Sequence, residues 1–171
     1  MDQRVVDRMI PLPVGSPAPD FVLIEPTGRR ALMSEMMGWK GILLVFYPSD
    51  WGLVCHWQMV ALRDMQSDLE EAGYTLMGVS FNDLVSHGLW AERLKLRFPL
   101  MSDRDLAVTK AYGVYDDNEE SYNKGRPLRG LFMVSREMII TWSWVTENLW
   151  IEPDYDGLLR IARESSEPGP G

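Results

Sequence analysis

The sequence predicts an α/β fold: a central mixed β-sheet flanked by helices, with an N-terminal extension. Three observations lead there. Two apolar runs, at 41–47 and 74–80, have the unbroken hydrophobicity of strands buried on both faces. Between them, residues 54–72 place apolar side chains at Cys55, Met59, Leu62, Met65 and Leu69, the three- and four-residue spacing of an amphipathic helix. Later, the runs at 130–134 and 138–145 close on Ser135-Arg136-Glu137 as a hairpin. A strand, a helix and a second strand in succession imply a sheet covered on both faces, and the hairpin adds antiparallel strands to it.

The other elements follow in order. Residues 1–19 are Pro-rich and irregular, ending in Val14-Gly15-Ser16-Pro17-Ala18-Pro19. Residues 21–24 read as a short strand, and Thr27-Gly28 as the turn into a second one at 30–33. After the central strand at 74–80, Ser86 is placed to cap a helix running to about Arg97. Pro99-Leu100-Met101 reads as a short strand, and 104–112 as a helix stopped by Gly113. Asp116 to Glu120 reads as a solvated acidic loop, and the last helix occupies 154–164, with Pro153 near its start. One domain is expected over 12–165 and a flexible tail over 166–171. This is the element order of the thioredoxin-like fold with an N-terminal extension.

At 171 residues the chain suits one domain that buries about 70% of its unfolded surface. Its formal charge of -8 argues against nucleic acid or an anionic membrane as a partner. The first residues carry charges where a signal peptide needs an apolar stretch, and no apolar run approaches the roughly 18 residues of a membrane span. A cytoplasmic location is expected. Two histidines and one cysteine make no zinc pattern, so no metal and no cofactor are expected.

The single cysteine, Cys55, cannot form an internal disulfide. It stands where the strand at 41–47 turns into the helix at 54–72. A helix N-terminus supplies unpaired N–H groups and a partial positive charge, and both favour a thiolate. Without a motif around it, a lone cysteine on an apolar stripe reads as a small buried hydrophobe.

The motif is there. Phe46-Tyr47-Pro48 leads into Cys55 with the spacing Pro-x-x-x-Thr-x-x-Cys, and Arg129-Gly130-Leu131-Phe132 begins a strand 74 residues after the cysteine. Val14-Gly15, Pro17-Ala18-Pro19-Asp20-Phe21, Phe98-Pro99-Leu100-Met101-Ser102-Asp103 and Tyr112-Gly113-Val114 add further pieces in order. The chain resembles a peroxiredoxin of the alkyl hydroperoxide reductase / thiol-specific antioxidant family over about residues 12–165. The resemblance implies a thiol peroxidase. In it Cys55 attacks hydrogen peroxide or an organic hydroperoxide and becomes a sulfenic acid. An external thiol, whether thioredoxin, glutaredoxin or a low-molecular-weight thiol, then regenerates it. A homodimer is also implied.

The same resemblance assigns roles to residues. Cys55 and Arg129 are catalytic. Pro48, Gly52 and Val54 line the substrate site. Helical spacing, not the resemblance, places Gln58 one turn after Cys55, where it is expected to hydrogen-bond Arg129. A free thiol is only about 3% thiolate at pH 7, which is why the chemistry needs a cation such as Arg129 beside the sulfur. Arg129 also presents planar donors to the peroxide. Pro48, lacking an N–H, shields the sulfenic acid.

Two departures stand out. Gly52 occupies the position of the motif threonine, whose hydroxyl bonds the thiolate and the peroxide. Gln58 replaces a common acidic residue. No resolving cysteine exists, so a peroxidase here is of the one-cysteine type. Gly52 leaves three outcomes open: a slow enzyme, a vacancy filled by water or Trp51, or a loop remodelled through glycine's backbone freedom. An alternative function is therefore a catalytically weakened redox sensor or protein-interaction module. His56 and His87 read as having no special role. The seven tryptophans read mostly as core, with Trp142 and Trp144 either packed under the last helix or forming a dimer edge. Trp51 and Trp57 are candidates for an apolar substrate pocket or a dimer contact.

Overall fold

The two apolar runs lie side by side at the centre of the structure, a computed structural model that describes residues 9–25 and 27–165. They form β3 (Gly41–Phe46) and β4 (Tyr74–Ser80), paired in parallel from Gly41 against Tyr74 to Phe46 against Val79. The amphipathic helix α1 (Leu53–Glu71) makes the crossover between them. After α2 (Leu84–Leu94), β5 (Leu100–Ser102) pairs in parallel with the far side of β4. The short α3 (Ala107–Ala111) and a long loop lead to β6 (Arg129–Ser135), which runs antiparallel to β3, and β7 (Ile140–Thr146) forms the edge beyond it. At the other edge, β1 (Val22–Ile24) and β2 (Arg30–Leu32) join through Ile24 opposite Ser102. Helix α4 (Tyr155–Glu164) closes the chain. The result is one seven-stranded mixed sheet in the order β2-β1-β5-β4-β3-β6-β7, flanked by helices, as the sequence predicts.

Strand alternation divides the core into two layers. Leu43, Val45, Tyr47, Leu76, Leu131 and Met133 face α1, α2 and α4, where they meet Met59, Leu62, Leu69, Trp90 and Leu158. Ile42, Leu44, Phe46, Met77, Val79, Phe132 and Val134 face the other way, against Val108, Tyr112 and Val114. Because β3 is buried on both faces, its end is fixed in position, and the chain leaving it at Tyr47 starts from a rigid point.

Several local expectations are corrected. Asp83, not Ser86, caps α2: its side chain accepts the Ser86 N–H at 2.8 Å, which frees the Ser86 hydroxyl for a longer-range bond. The helix stops at Leu94 because Lys95 is left-handed, at φ 55°. Residues 104–106 form a turn, since Leu106 is also left-handed at φ 62° and the buried Asp103 carboxylate accepts the N–H groups of Val108 and Thr109. A 3₁₀ turn at Met33–Met36 follows β2. Asp116 is not solvated; it is buried and accepts from Ser121 Oγ and Asn118 N–H. Among the tryptophans only Trp90 is fully buried. Trp142 and Trp144 are half-buried against the α1/α4 side, and Trp39, Trp51, Trp57 and Trp150 are exposed. The expected tail at 166–171 lies outside the described residues. Among the described residues no helix is long and apolar enough to cross a membrane.

Candidate active site

The site lies where β3, β6 and α1 converge, at the carboxyl ends of the parallel strands, the usual place for ligands in sheets of this kind. Phe46 ends β3 opposite Gly130, so Arg129, the first residue of β6, arrives beside the chain leaving β3. That chain passes through buried Tyr47 and Pro48, turns at Trp51 with a left-handed φ of 68°, and enters α1 at Gly52. The first bond of α1 runs from the His56 N–H to the Gly52 carbonyl at 2.7 Å. The N–H groups of Leu53, Val54 and Cys55 therefore have no partner inside the helix. Cys55 sits in this first turn, 4% exposed.

Arg129 is 1% exposed, and its guanidinium is fully engaged at one end. Nη1 and Nη2 each donate to Cys55 Sγ at 3.5 Å. Nη1 also donates to Gln58 Oε1, and Nη2 to the Leu149 carbonyl at 3.0 Å. None of these hydrogen bonds goes to a carboxylate. Gln58, fully buried, supplies the oxygen that a carboxylate would supply without its charge. Its Nε2 and the Arg129 Nε lack a hydrogen-bond partner among the described residues. Among the groups that the guanidinium contacts, the Cys55 sulfur is the ionisable one.

Beside the sulfur lies a pocket of about 200 Å³. Its buried walls include Pro48, Val54, Cys55, Arg129 and Leu149, and Gly52 lines it too; its exposed members are Leu53, Tyr122, Arg126 and Trp150. All six residues singled out in the sequence thus gather here, five on the pocket and Gln58 behind Arg129. Trp51 and Trp57 do not line it; Trp150 does.

Gly52 has φ -69° and ψ 144°, an extended conformation open to any residue. The backbone does not require glycine, so the loop is not remodelled through glycine's freedom. Nor does Trp51 fill the vacancy, because its indole N–H donates to Ser86 Oγ at 3.1 Å. A Cβ added at Gly52 would stand 3.3 Å from Cys55 Sγ, so a hydroxyl borne there would lie close to the sulfur.

One group was missed. His87, read as having no special role, is fully buried and holds the loop before the cysteine. Its Nδ1 lies 2.7 Å from Asp50 Oδ2 and its Nε2 3.1 Å from the Met101 carbonyl. The ring is thus held at both nitrogens, between the Asp50 side chain on the loop and the β5 backbone. Asp50 also accepts the Tyr47 hydroxyl at 2.7 Å and the Ser86 hydroxyl at 2.8 Å, while its N–H donates to Asn82 Oδ1 at 2.9 Å. Burial, and then the adjacent Asp50 charge, push the Tyr47 hydroxyl well above its ordinary pKa, so it serves here as a neutral donor. The network ties β3, β4, α2 and β5 to the turn that carries Trp51 and Gly52. The Asp50/His87 pairing spans 37 residues, and no local pattern signals it.

Residues 14–143 match the AhpC/TSA family. The chain is 31% identical over 157 residues to the chloroplastic 2-Cys peroxiredoxin BAS1 of Spinacia oleracea, covering 86% of this chain and 57% of that protein. It therefore spans little more than half the length of that relative. It is 32% identical over 134 residues to alkyl hydroperoxide reductase E of Mycobacterium tuberculosis, covering 77% and 84% of the two chains. Among solved structures, peroxidoxin BcpB from Mycobacterium tuberculosis superposes with a TM-score of 0.75 at 22% identity, over 88% of this chain and 96% of that one. A peroxiredoxin-like protein from Aquifex aeolicus superposes at 0.78 and 20% identity, over 91% and 88%. These two superpositions establish the thioredoxin-like peroxiredoxin fold.

Among the described residues no carboxylate hydrogen-bonds Arg129, and this has a measurable consequence. A Gln58→Glu variant draws the guanidinium's charge away from the sulfur. Alkylation of Cys55 by iodoacetamide at pH 7 is expected to slow several-fold, and an unchanged rate would show that Gln58 does not govern the charge at the thiol.

Proposed function

This chain belongs to the AhpC/TSA family, and we propose that it works as a one-cysteine thiol peroxidase. The observation that carries this reading is the two-pronged contact of Arg129 with Cys55 Sγ beside an open pocket. In the proposed reaction the Cys55 thiolate attacks the near oxygen of a hydroperoxide. An S–O bond forms as the O–O bond breaks. Sulfur loses two electrons, the peroxide gains them, and the departing alkoxide or hydroxide takes a proton from water. Arg129 and the free N–H groups of the first turn of α1 face the charge that develops on the departing oxygen. Pro48 offers no donor to compete for the sulfenic acid. Two equivalents of an external thiol then return Cys55 to the thiol, releasing water and a disulfide. A protein thiol such as thioredoxin or glutaredoxin, or a small thiol, fits this step. A reducing cytoplasm suits it, and the exposed Trp57, outside the pocket, suits a homodimer contact.

Gly52 favours a second reading, in which the chain is a weakened redox sensor or interaction module. The two readings differ in rate. Under the first, hydrogen peroxide or cumene hydroperoxide converts Cys55 to the sulfenate at least about a hundredfold faster than it oxidises free cysteine, the size of one transition-state donor. Mass spectrometry after dimedone trapping reads the product, and Cys55→Ser gives none. Oxidation no faster than free cysteine would leave only the second reading.

Restoring the hydroxyl tests what the glycine withholds. Because the backbone at position 52 accepts threonine, Gly52→Thr is expected to raise the oxidation rate constant by roughly 10²-fold. A variant that folds and reacts no faster would mean that the missing hydroxyl does not limit the reaction.

A further inference from the structure

The charge around the pocket is opposite to the charge of the chain. The protein carries -8 overall, yet the charged residues lining the pocket are Arg126 and Arg129, with no carboxylate among them. Arg129 is committed to Cys55, Gln58 and Leu149. Arg126 is different. It is exposed, its guanidinium lies over the Phe81 ring at 5.2 Å, and among the described residues it has no ion-pair partner. Three of the four acidic residues of the loop just before it are occupied elsewhere, Asp116 with Ser121, Asp117 with the Met9 N–H and Glu119 with Lys124; the fourth, Glu120, is exposed and makes no ion pair with Arg126. Between the two arginines the pocket presents apolar surface: Leu53 is 59% exposed, Trp150 70% and Tyr122 76%. Exposed aromatic and aliphatic groups that line the mouth of a pocket offer contact area to an apolar ligand.

Resting on the peroxidase reading, we propose that the preferred substrate is an organic hydroperoxide whose apolar body carries a carboxylate, and that Arg126 is the residue that selects it. The peroxide group goes to Cys55 and Arg129, the body lies against Leu53 and Trp150, and the carboxylate meets Arg126 at the exposed end. The reaction is unchanged: the thiolate takes one oxygen and the other leaves on the organic residue as the alcohol. The carboxylate takes no part in it. Hydrogen peroxide has neither the body nor the anion and gains nothing from these groups. An arginine in this position favours a planar carboxylate through two parallel N–H bonds. Because the pair is solvent-exposed, its effect is modest and salt-dependent.

The test compares cumene hydroperoxide with its para-carboxylate, a pair matched in body and reacting group. Stopped-flow tryptophan fluorescence follows oxidation of Cys55. The carboxylate form is expected to react about fivefold faster at low salt, the scale of one exposed charge pair, with the ratio falling toward one as salt rises. Arg126→Gln is expected to bring the ratio to one, while Arg93→Gln, the same charge change on an exposed residue of α2, leaves it as in the wild type. A second arm needs no turnover: 4-isopropylbenzoate is titrated into Cys55→Ser protein with and without Arg126→Gln. Binding that depends on Arg126 supports the site even if no hydroperoxide oxidises Cys55, a result that would sink the peroxidase reading alone. Equal rates for the two hydroperoxides in the wild type, or a ratio that survives Arg126→Gln, would overturn the assignment of Arg126 while leaving the peroxidase intact. A preference that appears only in the recycling step with an anionic thiol would also overturn it.

Discussion

One buried guanidinium organises this molecule. Arg129 lies within the fold with a sulfur, an amide oxygen and a backbone carbonyl around one end, and no carboxylate among the described residues hydrogen-bonds it. Neutral oxygens solvate a cation but do not neutralise it. The Cys55 sulfur is the one group among these contacts that can supply the opposite charge by losing a proton. The same contacts place the guanidinium's donors on the atom that the proposed reaction oxidises. Cys55 also sits in the first turn of α1, where the N–H groups of Leu53, Val54 and Cys55 have no partner inside the helix.

The fold brings these groups together through rigid parts. Antiparallel pairing of β6 with β3 sets Arg129 beside the exit of β3, and the parallel β3–α1–β4 unit sets Cys55 in the first turn after that exit. The connecting loop would otherwise be the weakest link. It is held by the Asp50/His87 pair, which reaches from the loop across α2 to β5. Removing either partner would leave buried polar atoms without hydrogen bonds. Its value here is to fix one conformation of the segment between Pro48 and Cys55.

Much of this was legible in the sequence, for definable reasons. Strands β3 and β4 announced themselves because both faces are covered, so their hydrophobic runs are unbroken. Helix α1 followed from a spacing of three and four. Pro48, Cys55 and Arg129 were found through a motif, and Gln58 through helical geometry, one turn beyond the cysteine. What escaped depends on tertiary contact. Asp83 and Ser86 are both good caps, and the choice fell to Asp83 because the Ser86 hydroxyl is drawn to Asp50. His87 looked ordinary because its partners lie on a loop and a strand distant in sequence. Asp116 looked solvated within an acidic run, yet its carboxylate turns inward to cap its own loop. Most of the tryptophans were expected in the core, whereas Trp39, Trp51, Trp57 and Trp150 lie exposed, and Trp150 lines the pocket.

The partnership of Arg129 with Cys55 is the feature on which the proposed chemistry depends. The most direct measurement is the second-order rate constant for oxidation of Cys55 by hydrogen peroxide in an Arg129→Met variant, alongside the wild type, with far-UV circular dichroism confirming that the fold is kept. Loss of the cation and its donors together predicts a fall of at least about 10²-fold. A folded variant that is oxidised as fast as the wild type would contradict the account, because the sulfur would then owe its reactivity to something other than the guanidinium beside it.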